Sequence, residues 1–163
     1  MLAIKPLPEV VILESLLRTA EKIRAFHRFY LPYFHLLTQK YLNSECSMAE
    51  ARVLYQLYTC QNACAVDIVS QLNIDKSYLS RTLKRFEQTG IVEKRSSPED
   101  ARRTVLTLTN AGKALTERLI RESNRQVALA LAGLTEDRQA QLTWHMEQIM
   151  TILKEDRNGT DQI

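Results

Sequence analysis

Lys76-Ser-Tyr-Leu-Ser-Arg-Thr-Leu-Lys-Arg-Phe-Glu-Gln-Thr-Gly90 is the stretch whose reading sets the fold. At about 100° per residue, Ser77, Ser80, Arg81, Lys84, Arg85 and Gln88 share one half of a helical wheel, and Leu79, Leu83 and Phe86 take the other. A helix over Lys76–Thr89 would bury one side and present cations and small polar groups on the other. Gly90 stands where a glycine commonly ends a helix, because that position takes φ > 0. Upstream, Asn73-Ile-Asp75 reads as a turn with Asp75 as the N-cap. Before the turn, a short helix over about Ala65–Leu72 sets Ala65, Ile68, Val69 and Leu72 on one face. Short helix, tight turn and polar-faced helix form the helix-turn-helix pattern. Arginine can fork onto guanine, glutamine can pair with adenine, and serine can bond bases or phosphates, so the exposed half suits a major groove. Taken alone, the same helix also reads as an ordinary solvated face.

The residues that follow favour the first reading. Ile91-Val-Glu-Lys-Arg95 and Thr104-Val-Leu-Thr-Leu-Thr109 are strand-like, and the polar run Ser96-Ser-Pro-Glu-Asp-Ala-Arg-Arg103 between them predicts a hairpin with a charged tip. Arg95, Ser96, Arg102 and Arg103 on that tip would form a wing suited to a narrow, negative minor groove. Asp100 is expected to pair with Arg102 or Arg103 and brace the wing, against the plainer reading of an exposed turn acid. From Lys76 to Arg103 the chain carries eight bases and four acids, a net of +4, while the whole chain is only +3. All of the excess positive charge therefore sits in one segment, as a nucleic-acid footprint requires.

Working outward, apolar residues from Leu13 through Ile23 and Tyr30 to Leu37 keep a helical period from about Pro8 to Tyr41. Pro32 interrupts without shifting the stripe, predicting one long helix kinked near residues 28–32. Such a helix exceeds what a small core can cover, so part of it should pack on another chain. Ser47-Met-Ala-Glu50 has the form of a capping box opening a helix through Leu57. On the far side, a fifth helix is expected over about Asn110–Ala132, ended by Gly133, and a sixth after Thr135. The tail from Glu155 is polar and expected to fray. With four glycines and four prolines among 163 residues, the fold class is mainly α: six helices and a two-stranded β-wing.

No run of eighteen apolar residues exists, which excludes a membrane-spanning helix and a membrane partner of that kind. Glu9 and Glu14 and the lack of a basic start argue against a secretory signal, so a cytoplasmic location is expected. Cys46, Cys60 and Cys64 are odd in number, which disfavours a disulfide framework. Cys64 precedes the third helix, where a thiolate is stabilised, so it is the redox candidate against an inert thiol. His27, His35 and His145 are dispersed, and no metal or other cofactor is expected. No nucleophile elbow, paired carboxylates or phosphate loop supports an enzyme.

The segment Leu79–Arg95 together with Asp100-Ala-Arg-Arg-Thr-Val-Leu-Thr-Leu-Thr-Asn-Ala-Gly112 resembles the recognition helix and wing of the multiple antibiotic resistance regulator (MarR) family. The resemblance spans nearly the whole chain and implies a single domain over 1–163, with dimerisation helices at 8–45 and 110–155 around a winged helix at 46–109. It implies a triangular homodimer on double-stranded DNA at a pseudo-palindromic operator, acting as a repressor. Ser77, Tyr78, Ser80, Arg81 and Lys84 would address the major groove, and Arg102 or Arg103 the minor groove. Lys76, Arg85, Arg95 and Ser96 complete the expected DNA-contacting set. It further implies a small aromatic or anionic effector between the winged domain and the dimer helices. Arg24, His27, Tyr30 and Tyr33 with Tyr55 and Tyr58 are the candidate pocket, although aromatics at helical spacing also read as core. Ile23–Tyr30 and Ser47–Tyr55 are similar to the regulator half of chains that fuse such a domain to an acetyltransferase. With Ile163 last and glycines only at 90, 112, 133 and 159, no second domain or acyl-carrier loop is expected. The competing reading is a winged-helix interaction module without DNA, or the regulator remnant of an acetyltransferase system.

Overall fold

A computed structural model describes residues 8–36, 41–60, 63–96 and 104–160. Its α-helices are α1 (Pro8–Tyr33), α2 (Met48–Thr59), α3 (Ala65–Leu72), α4 (Lys76–Gln88), α5 (Asn110–Leu131) and α6 (Glu136–Thr160). Strands β1 (Val92–Ser96) and β2 (Thr104–Leu108) pair antiparallel, with Val92 opposite Leu108 and Ser96 opposite Thr104. The chain divides into two compact units, one through Asn124 and one from Arg125.

The first helix is shorter than its periodicity suggests. It ends at Tyr33, one residue past Pro32, and not near Tyr41. His35 takes φ 54° in the left-handed region, while its N–H donates to the Pro32 carbonyl at 2.9 Å and the Leu36 N–H reaches Leu31 at 2.9 Å. That pair of bonds is a Schellman stop, built here on a histidine in place of the usual glycine. A left-handed residue at this point turns the chain out of the helix. The N-terminal part of the stripe on α1 remains open: Leu16 is 61% exposed and Ile23 50%.

The remaining caps follow the local signals. The Ser47 N–H donates to Glu50 Oε2 at 2.8 Å and the Glu50 N–H to Ser47 Oγ at 3.2 Å, a complete capping box. Asn73 ends α3 in the left-handed region. Asp75 Oδ1 accepts from the Tyr78 N–H at 2.7 Å and opens α4. Gly90 (φ 69°) closes α4, with the Ile91 N–H bonded to the Phe86 carbonyl at 2.8 Å. Thr109, expected in the second strand, instead caps α5 by accepting the Gly112 N–H at 3.1 Å. Helix α6 continues to Thr160 through the segment expected to fray, each added residue bringing one more backbone hydrogen bond.

The core of the first unit gathers Val53, Leu54, Ile68, Leu79, Leu83, Phe86, Val92, Leu106 and Leu119. Burying four apolar faces against one sheet fixes α4 relative to α2, α3 and the hairpin. Ala63, just before α3, adds a further rung: its carbonyl accepts the Leu106 N–H at 2.9 Å. Sequence reading had no sign of this bridge.

Candidate nucleic-acid interface

Leu79, Thr82, Leu83 and Phe86 turn inward on α4, which leaves Lys76, Ser77, Ser80, Arg81, Lys84, Arg85 and Gln88 exposed. Among the described residues, no acid pairs with Lys76, Arg81 or Lys84. All three project from the exposed face of the helix. The serines beside them are small enough to let the helix approach a surface closely.

Three other members of the expected set are already engaged within the protein. Tyr78 is half-buried, with its hydroxyl 3.2 Å from Ser47 Oγ. Arg85 Nη2 reaches Glu50 Oε1 at 2.5 Å. Arg95 Nη2 pairs with Glu93 Oε1 at 2.5 Å on the exposed end of β1, where Ser96 is exposed as well. Lys94, which sequence reading did not single out, bonds Glu87 at 2.7 Å and so ties β1 to α4. The cationic helix and the first strand of the hairpin are therefore neighbours. Asp100, Arg102 and Arg103 lie outside the described residues.

The expected effector residues are not brought together. Tyr55 lines a cavity of about 530 Å³ between α2 and α5, with Tyr41, Met48, Arg52, Gln56, Ile120 and Ser123 among its other walls. The Tyr41 hydroxyl donates to Ser123 Oγ at 2.9 Å across it. Arg24, His27, Tyr30 and Tyr33 do not line this cavity. Instead the α1 aromatics stack among themselves, Phe26 on Tyr30 at 5.3 Å and Phe29 on Tyr33 at 5.5 Å. Tyr58 donates to Glu117 at 3.1 Å, and that bond holds its phenol above the ordinary value. Arg52 and Ser123 carry no local motif, so only the packing of α5 on α2 could find this cavity.

Cys64 caps α3 with partial exposure, and the Asp67 carboxylate accepts its N–H at 3.2 Å. Cys46 is buried, and burial first, then the Glu50 charge, pushes its thiol up.

Residues 46–104, from the start of α2 to the second strand, match the sequence profile of the MarR family. This segment is similar to the winged helix of the MarR family. Members of that family are transcription regulators and not enzymes. The chain is 32% identical over 89 residues to the Bacillus subtilis HTH-type transcriptional regulator YdgJ, covering 55% of this chain and 54% of that one. The MarR-like chain thus spans about half the length of this relative. Apo MarR from E. coli superimposes with a TM-score of 0.66 at 25% identity, covering 77% of this chain and 94% of that one. A cysteine-to-serine mutant of E. coli MarR complexed with operator DNA gives 0.61 at 25% identity, covering 77% and 91%.

Proposed function

We propose that this protein is a cytoplasmic transcription regulator that binds double-stranded DNA in a sequence-specific manner as a homodimer and represses its targets. The observation that carries this reading is the exposed α4 face, where Arg81 and Lys84 lack acidic partners among the described residues while Lys94 and Glu87 hold the hairpin beside it. Arg81 and Lys84 with Ser77, Ser80 and Gln88 enter the major groove, and Arg102 or Arg103, braced by Asp100, enters the flanking minor groove. The operator complex of the E. coli relative supports the same use of this fold.

Open apolar surface supports the dimer. Ile12, Leu13, Leu16 and Leu17 on α1, and Trp144, Ile152 and Leu153 on α6, are more than half exposed. A second copy that covers such stripes removes them from water at about 25 cal/mol per Å². Two copies then place their α4 helices about one helical turn apart on a pseudo-palindrome. The signal is a small aromatic or anionic compound in the α2–α5 cavity, where Arg52 supplies charge and Tyr41 and Tyr55 supply rings. Binding there favours a helix separation that no longer fits the operator. The narrower kinship, to regulator halves of acetyltransferase fusions, rests on Ile23–Tyr30 and Ser47–Tyr55.

The test is a gel shift on the duplex upstream of the gene, repeated at rising salt. Binding that weakens steeply with salt, and is lost when Arg81, Arg102 and Arg103 are all replaced by alanine, is the expected result. A monomer that ignores duplex DNA overturns the proposal.

A further inference from the structure

Arg85 belongs by sequence to the cationic face, yet its guanidinium is held by Glu50, a residue of the neighbouring helix. The Glu50 carboxylate divides its two oxygens: Oε2 accepts the Ser47 N–H and closes the first turn of α2, while Oε1 takes Arg85. Ser47, the other half of the same capping box, meets the Tyr78 hydroxyl. Tyr78 and Arg85 lie two turns apart on α4 and so share one flank of it. On the opposite flank, Glu87 is held to β1 by Lys94. The stripe left between the two braces is Ser77, Arg81, Lys84 and Gln88.

We infer that Arg85 is a positioning residue and not a DNA contact, and that Glu50 is the hub that sets the orientation of α4 from the N-terminus of α2; this rests on the DNA-binding reading above. Burial decides between the two roles. The Glu50 side chain is only 13% exposed and that of Arg85 46%. Were Arg85 to turn to a phosphate, a mostly buried carboxylate would lose its counter-charge, whereas Arg81 and Lys84 face no such loss.

Glu50→Gln separates the possibilities, because glutamine can still serve the capping box while the charge pair is lost. By charge alone, removing an acid beside the cationic face tightens binding to any duplex. A positioning role gives the reverse on the right sequence. The probes are the tightest duplex selected from a random-sequence library and an unrelated duplex of equal length. For Glu50→Gln, and likewise for Arg85→Ala, affinity for the selected duplex falls on the order of threefold to tenfold with an unchanged salt slope. Binding of Glu50→Gln to the unrelated duplex holds or rises, and the double variant is no worse than either single. The inference is overturned if Glu50→Gln tightens both duplexes, or if Arg85→Ala weakens both alike and lowers the salt slope by about one. A wild-type protein that binds neither duplex defeats the DNA reading instead. The brace is then read by amide hydrogen exchange, and exchange at Lys84–Gln88 that is no faster in Glu50→Gln overturns it.

Discussion

Gly112, in the first turn of α5, lies so close to Ile91 that a Cβ at position 112 would sit 2.1 Å from the Ile91 carbonyl oxygen. That oxygen also accepts the Thr109 N–H at 3.1 Å, and Thr109 Oγ1 donates to the Gly90 carbonyl at 2.6 Å. The start of α5 is thereby fastened to the point where α4 passes into β1. Helix propensity alone makes Gly112→Ala stabilising by about 1 kcal/mol. The clash is with backbone, which cannot step aside as a side chain can, so overpacking wins. The expected net loss is about 1–3 kcal/mol, read as a lower urea midpoint with an unchanged slope. A midpoint that rises would show that the two segments separate freely.

Asp75 holds the first turn of α4 through the Tyr78 amide. Asp75→Ala is expected to cost about 1 kcal/mol, while Asp75→Asn, an equally good cap, costs a few tenths at most. Thermal unfolding of the two variants checks this. Equal losses would mean that the carboxylate charge, not the cap, is what matters.

Arg81 is exposed and lacks an acidic partner among the described residues, so the fold does not depend on it. Arg81→Ala should leave stability within about 0.5 kcal/mol of the parent. Operator affinity should fall by about 1–3 kcal/mol, roughly fivefold to more than a hundredfold, when the side chain reads a base. Parallel denaturation and gel-shift titrations separate the two effects. Lost stability with intact binding would remove Arg81 from the interface.

Cys46 has its thiol raised first by burial and next by the Glu50 charge. A raised value in the folded state means that folding favours the protonated thiol. Its contribution is therefore fully present below the ordinary thiol value and is lost as pH rises through the higher folded one. Alkylation should find Cys46 the slowest of the three cysteines, behind the partly exposed Cys60 and Cys64. In Glu50→Gln the Cys46 thiol should ionise at lower pH, since one of the raising charges is gone. Rapid alkylation of Cys46 in the native protein would contradict its burial.

Much of α4 and its exposed cationic face was legible in the sequence, because the signals are local. Asp75 and Gly90 bracket α4, Leu79, Leu83 and Phe86 name its inner side, and Ser47 with Glu50 announces α2; each is a matter of a few neighbouring residues on one backbone. The end of α1 was not legible. A Schellman stop on His35 uses a residue type that carries no stop signal, and the apolar period runs on past it. Tertiary packing alone decided which cations remain available. Arg81 and Arg85 look alike in sequence, but only Arg85 stands where the core brings the Glu50 carboxylate within reach. Packing also opens a cavity between α2 and α5 that Tyr55 lines and the α1 aromatics do not. Caps and periodicity depend on neighbours in the chain, whereas ion pairs and cavities depend on neighbours in space, which the burial of distant apolar faces selects.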